Sequence, residues 1–231
     1  NVETSTRLSS RIEEAYEYLD KTSLEINAQI ISEYLENIDD NELTSDQTVA
    51  IASTLRTQGN AAYRLGNVEK AFNDLARSRE LYQRFAKENP TDIDAAIESA
   101  FADFHFGITH YYEGNYELAQ SPVGRYAKEN DALYETSPDH PVLFTESVYA
   151  PVALLSVLNA SSFQFSAPLE AATIQAIRAA EAAISIAPDN FDIIDAYNLA
   201  MDHAADAYMK SCRVFDALPL RQRAVANARR A

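Results

Sequence analysis

The chain has 231 residues, 47% of them hydrophobic, with 35 acidic against 19 basic side chains and a formal charge of −16. That length is enough to bury a sizeable core, and the acidic field repels phosphate backbones, which argues against nucleic acid as a partner. With only 5 Gly and 8 Pro among abundant Ala, Glu and Leu, the composition is that of helices, each Gly or Pro marking a boundary.

Residues 3–20 read as a helix with Leu8, Ile12, Ala15, Tyr16 and Leu19 on one stripe. Thr22 or Ser23 can cap a second helix carrying Ile26, Ile30, Ile31, Tyr34, Leu35 and Ile38. The pair forms a divergent N-terminal hairpin over residues 1–42. Thr44 or Ser45 starts the next helix, which runs to Leu65 with residues 68–88 as its partner, filling a segment 43–90. Residues 92–113 and 116–136 pair within 91–138, where Pro122 fits a helix that begins near Ala119 or is kinked. A third segment, 139–188, holds a helix at 141–160, with Pro151 as a kink or start, and a helix at 168–187. Pro168 opens the latter, and Ala171, Ile174, Ile177, Ala180 and Ile184 line its apolar face. Residues 191–211 and 214–230 close the chain as a hairpin within 189–231. No strand-like alternation interrupts the pattern, so the fold expected is all-α, of about ten helices in one domain.

A shift of 48 residues superposes two long stretches. Gly59 falls on Gly107, Gly66 on Gly114, Asn67 on Asn115, Ala71 on Ala119, Arg77 on Arg125 and Pro90 on Pro138. In so Gly-poor a chain these pairs signal a repeat. Gly59 and Gly107 sit in mid-helix, where Gly costs about 1 kcal/mol against Ala, so a close helix crossing is expected there. Gly66 and Gly114 read as helix stops in the left-handed conformation. Pro188 follows Pro138 by 50 residues, which gives the third copy about two extra residues.

The stretch from Gly59 to Ala71, GNAAYRLGNVEKA, and that from Gly107 to Ala119, GITHYYEGNYELA, resemble the tetratricopeptide repeat (TPR). Ala205, Tyr208, Cys212, Ala217 and Ala224 resemble it more weakly, with Ala and Cys in place of both glycines. The usual Trp is absent, and 48 residues exceed the usual repeat of about 34 because the second helix is longer. Long repeats of this kind resemble arrays in bacterial multidomain signalling proteins. The resemblance implies a right-handed superhelix of stacked antiparallel hairpins whose concave groove binds a peptide or partner segment. It places Arg56, Asn60, Tyr63 and Arg64 in the groove from one repeat. From the next come Phe101, Phe104, His105, Ile108, Tyr111 and Tyr112, and from the last Asp202, His203, Asp206 and Lys210. Arg56 and Asn60, one turn apart, stand where some relatives clamp a peptide carboxylate; simple solvation is the other reading for Arg56 and Arg64. The aromatic cluster is either groove or core.

Catalytic patterns are weak. His105 and His110 lie about 140° apart around a helix, and His203 with Asp206 lacks further zinc donors. His140 sits in a Pro-flanked loop. Cys212, the single cysteine, excludes an intrachain disulfide and reads as a small packed residue rather than a nucleophile. No phosphate-binding loop or nucleophile elbow is present. No catalytic residue, metal or cofactor is assigned, and the expectation is a protein-interaction scaffold, not an enzyme. The alternative is a small-molecule sensor with an aromatic pocket at Phe101, Phe104 and Tyr111. No run of about 18 apolar residues suggests a membrane crossing. The start at Asn1, without an initiator Met or visible signal peptide, reads as a fragment or processed chain. The cytoplasm is the first reading of its compartment, an extracytoplasmic part of a membrane-anchored parent the second. Beyond Lys210, five Arg or Lys residues (Arg213, Arg221, Arg223, Arg229, Arg230, with Lys210 itself a sixth) face Asp216 alone. They suit a helix C-terminus or a basic docking patch.

Overall fold

The computed structural model describes Asp40, residues 43–162 and residues 164–228. The hairpin expected over residues 1–42 lies outside the described residues, Asp40 apart. The described part is all-helical. Eight helices follow in order: α1 (Ser45–Arg64), α2 (Val68–Glu88), α3 (Ile93–Tyr112), α4 (Tyr116–Thr136), α5 (Pro141–Ser161), α6 (Ala167–Ile186), α7 (Phe191–Lys210) and α8 (Val214–Ala228). The odd-numbered helices start 48, 48 and 50 residues apart, the period of the sequence. The extra residues of the third copy fall in the α5–α6 connection, which spans 162–166 where the other hairpins need three residues.

Local chemistry explains these boundaries. Thr44 and Gln47 form a capping box at the start of α1, each satisfying a backbone donor that a helix N-terminus leaves open. Asn67 and Asn190 cap α2 and α7 through Lys70 N and Ile193 N. Three hairpin turns share one closure. Gly66 at φ 81° and Gly114 at φ 76° take the left-handed conformation, and so does Cys212 at φ 59°. The next amide bonds back to the helix, Asn67 N to Ala62 O at 2.8 Å, Asn115 N to His110 O at 2.9 Å and Arg213 N to Tyr208 O at 2.9 Å. This is the six-to-one bond of a Schellman cap. Each even helix up to α6 also stops alike. Asn89, Ser137 and Ala187 donate back to the last turn, and their carbonyls accept from Asp92, His140 and Asn190. The proline that follows each presets the φ of that turn.

The chain divides between Thr109 and His110, inside α3, into two compact units. In the first, Ile51, Ala52 and Leu55 of α1 meet Leu81 and Tyr82 of α2 and Ala102 of α3. The close crossing expected at Gly59 is present. A Cβ there would lie 2.6 Å from Leu75 Cγ and 3.2 Å from the Ala71 carbonyl oxygen. In the second unit α5 packs on α4, α6 and α7, while α7 packs on α6 and α8. The core here is built mainly of alanines, among them Ala172, Ala176, Ala180, Ala196, Ala200 and Ala204. Small side chains let helix backbones approach closely. α5 is long and apolar enough to cross a membrane by length and composition. In this unit it packs on α4, α6 and α7, with Leu143, Val148, Leu155 and Val157 fully buried.

Of the two alternatives expected for each proline, a helix start or a place within the helix, the second is found. Pro122 lies inside α4, which starts at Tyr116, and Pro151 lies inside α5, which starts at Pro141. Neither proline begins its helix. Cys212 is displaced from its expected role: it is exposed, not packed, because the left-handed turn points its side chain to solvent.

Replacing Gly59 by Ala is expected to destabilise the protein by about 1 kcal/mol in urea unfolding. Overpacking of about 1–3 kcal/mol outweighs the roughly 1 kcal/mol of helix propensity gained. Cys212→Gly should act in the opposite sense. It relieves about 1–2 kcal/mol of left-handed strain against about 0.5–1 kcal/mol of added chain entropy, so a gain of about 0.5–1 kcal/mol is expected in the same measurement.

Candidate functional site

In the first unit, Arg56 and Asn60 project from one face of α1 toward α3. Arg56 Nη1 lies 2.6 Å from Glu98 Oε2, and its guanidinium sits 5.5 Å from the centroid of the Tyr82 ring. The Tyr82 hydroxyl is pushed well above its ordinary range by burial, an effect Arg56 partly offsets. The Asn60 amide lies 3.4 Å from His105 Nδ1. An amide nitrogen only donates, so this arrangement suits an accepting Nδ1 on a neutral imidazole. Burial, aided by the nearby Arg56 charge, lowers the His105 pKa to about 4. Arg56 is thus engaged by the chain's own carboxylate. A ligand carboxylate would have to displace Glu98, exchanging one charge-assisted bond for another.

The remaining candidates of this unit are scattered in exposure. Tyr63, Phe101, Phe104 and Ile108 are half-buried, and Arg64 is exposed in the last turn of α1. Phe104 meets the neighbouring His105 ring edge-on, 5.5 Å between centroids. The structure adds a network the sequence did not announce. Asp103 is only 1% exposed and receives a charge-assisted bond from Arg79 of α2. The Arg79 guanidinium in turn lies 5.5 Å from the Phe106 ring centroid, and Phe106 packs edge-on against Phe72 at 6.1 Å. An acid set in the apolar run AFADFHFG was the available signal for Asp103. Arg79, 24 residues earlier, carried none.

In the second unit, Tyr111 and Tyr112 end α3 and Tyr116 opens α4. The Tyr111 ring lies 5.6 Å from Tyr112 and 5.5 Å from Tyr116. Tyr111 packs against the buried cluster of Ala119, Val123 and Val157, and burial raises its pKa, with the two neighbouring tyrosines adding to the shift. Tyr112 is 64% exposed. Tyr111 is thus half-buried, with part of its ring against that cluster, and Tyr112 is the solvent-facing member.

Of the last-repeat candidates, Asp202 is exposed and three make contacts within the chain. Lys210 Nζ donates to the carbonyls of Asn159 and Ser162 at the end of α5, where a cation suits the helix dipole. Asp206 pairs with Arg221. The His203 carbonyl accepts from Asn159, and burial lowers the pKa of its ring. A half-buried acid also emerges that sequence reasoning missed. Glu146 of α5 accepts from the Tyr126 hydroxyl of α4, and burial raises the Glu146 pKa. Nearby, Tyr149 donates to Asp195 at 3.2 Å and is pushed up to about 12, first by burial. No group of three or more His, Cys, Asp or Glu side chains gathers as metal donors among the described residues. Comparison with family models, with curated proteins and with solved structures finds no match.

The neutral His105 has a consequence for stability. Its folded pKa lies below the unfolded value of about 6.5, so the unfolded chain binds the proton first as pH falls. Stability is full above about pH 6.5 and drains as pH drops toward 4. Between pH 7 and 4 the wild type should lose about 2–3 kcal/mol more than His105→Gln, measured by urea unfolding at each pH.

Proposed function

We propose that the chain is a TPR-like scaffold. On this reading about ten helices, counting the N-terminal hairpin, stack as a right-handed superhelix and bind a peptide or partner segment. The observation that carries the binding reading is the tyrosine cluster of Tyr111, Tyr112 and Tyr116. Its outermost ring stands in solvent, while Tyr111 anchors it to Val123 and Val157. The left-handed turn at Gly114 holds the flanking helices in one register. Tyrosine offers a large amphipathic surface with few torsions to freeze, which suits recognition. The repeat reading draws support from the 48-residue period of helix starts and from the shared hairpin closures. A hairpin that cannot bury its own apolar face needs such stacked neighbours.

Engagement of Arg56 by Glu98 makes the tyrosines, rather than a carboxylate clamp, the leading contact. The small-molecule alternative gains less support from Tyr111, part of whose ring packs against Ala119, Val123 and Val157. The looser likeness to bacterial signalling arrays makes such a scaffold a regulatory part of a larger protein.

The test uses a peptide selected from a displayed library against the wild-type chain. Tyr112→Ala should weaken that peptide about tenfold and shift stability by no more than about 0.5 kcal/mol. Tyr111→Ala should cost about 2–4 kcal/mol of stability instead. Undiminished affinity in Tyr112→Ala would remove the cluster from the site.

A further inference from the structure

Glu98 of α3 and Glu146 of α5 stand one repeat period, 48 residues, apart. Each acts on a buried tyrosine of the helix before it. The charge of Glu98 reaches Tyr82 of α2, and Glu146 accepts from the hydroxyl of Tyr126 of α4. Both tyrosines are almost fully buried. The two acids differ in their cations. Glu98 holds Arg56, whose guanidinium also lies over the Tyr82 ring. The same shift puts Phe104 at the place of Arg56. Among the described residues no Lys, Arg or His pairs with Glu146. The first unit thus shows what side chain such an acid and phenol accept, and the second repeats the acid and phenol without it.

The start of α7 adds to the charge. Tyr149, one turn after Glu146, donates to Asp195 Oδ2 at 3.2 Å and lies 3.3 Å from the Asp192 carbonyl oxygen. Burial raises its pKa to about 12, and the charges of Asp195, Asp192 and Glu146 all push the same way. At Tyr82 the nearby Arg56 offsets part of the rise; at Tyr149 no cation does. Asp192 and Asp195 are exposed and Glu146 and Tyr149 half-buried, so the group opens to solvent at Asp195. A carboxylate that accepts one phenol keeps further lone pairs for a donor. We propose that Glu146, Tyr149 and Asp195 seat an arginine side chain of a partner peptide, as Glu98 and Tyr82 seat Arg56 within the chain. A guanidinium suits them better than an ammonium, because its planar fork serves two carboxylates and stacks on a phenol ring. Phe191, 70% exposed, precedes Asp192 and offers an apolar wall to the arginine stem. The overall charge of −16 draws a basic peptide in. The seat uses none of Tyr111, Tyr112 and Tyr116, so it stands independently of the tyrosine cluster.

Fluorescence anisotropy of a labelled tetra-arginine peptide, titrated with the full chain at low salt, tests the seat. Glu146→Gln with Asp195→Asn preserves size and shape and should weaken the peptide about tenfold or more. Asp131→Asn with Glu135→Gln removes the same charge from exposed acids of α4 and should weaken it no more than about twofold. Tetralysine should bind the wild type at least about fivefold more weakly than tetra-arginine. Tyr112→Ala should leave the tetra-arginine affinity unchanged, which separates this seat from the tyrosine cluster. Where Glu146→Gln disturbs folding, Asp195→Asn alone, at an exposed position, should still weaken the peptide about threefold or more. Equal losses in the two double variants overturn the proposal, because the field of the whole chain then accounts for binding. So does a wild-type chain that does not bind tetra-arginine, or one that binds tetralysine as well.

Discussion

A backbone that turns through the left-handed region after Leu65, Glu113 and Ser211 shapes this protein more than any side-chain contact. At each place one residue with positive φ lets the following amide bond back to the helix just ended. The connection is then three residues long, and the second helix leaves at a fixed rotation relative to the first. That rotation brings Ala71 and Ala217 to the buried face of their helices. Glycine meets the requirement at no steric cost. Cysteine meets it with strain, and the hairpin forms all the same because α7 and α8 bury Ala204, Ala207, Ala217, Leu220 and Ala224 together.

The two hairpins best compared solve one crossing in two ways. Gly59 admits Leu75 against the backbone of α1. In the last hairpin Ala205 stands at the place of Gly59 and Arg221 at that of Leu75. Arg221 reaches outward to Asp206, leaving the crossing to small residues. A methyl on one helix thus accompanies the loss of a large apolar group on the other, as close packing requires. Identical letters also part company. Arg77 and Arg125 share a repeat position, yet Arg77 makes two bonds to Asp40, and Arg125 bonds Ser121 of its own helix.

Polar groups fix how α1 and α2 meet α3. Glu98, Asp103 and His105 each face a partner on an earlier helix: Arg56, Arg79 and Asn60. Removing one member of a buried charge pair leaves the other desolvated and uncompensated, so such pairs penalise a slipped register more than they stabilise the correct one. Arg56 illustrates the cost to function-by-analogy: its side chain has the right chemistry for a ligand carboxylate, and an internal carboxylate already occupies it.

The sequence by itself determined the helical class, the 48-residue period, the closures at Gly66 and Gly114 and the close crossing at Gly59. These follow from local backbone preference and from the spacing of Gly and Pro, which short-range physics controls. The tertiary structure alone decided that Tyr111 packs in part on Val123 and Val157 while Tyr112 is exposed, that Arg56 pairs with Glu98, that Asp103 is buried beside Arg79, and that Cys212 is exposed in a left-handed turn. It also decided that α4 and α5 run through Pro122 and Pro151, and that α5 packs on α4, α6 and α7. The pairings of Arg56 with Glu98 and of Arg79 with Asp103 depend on which helix lies opposite, 42 and 24 residues away in the chain. A one-dimensional pattern carries a residue's chemistry but not the neighbour that satisfies it.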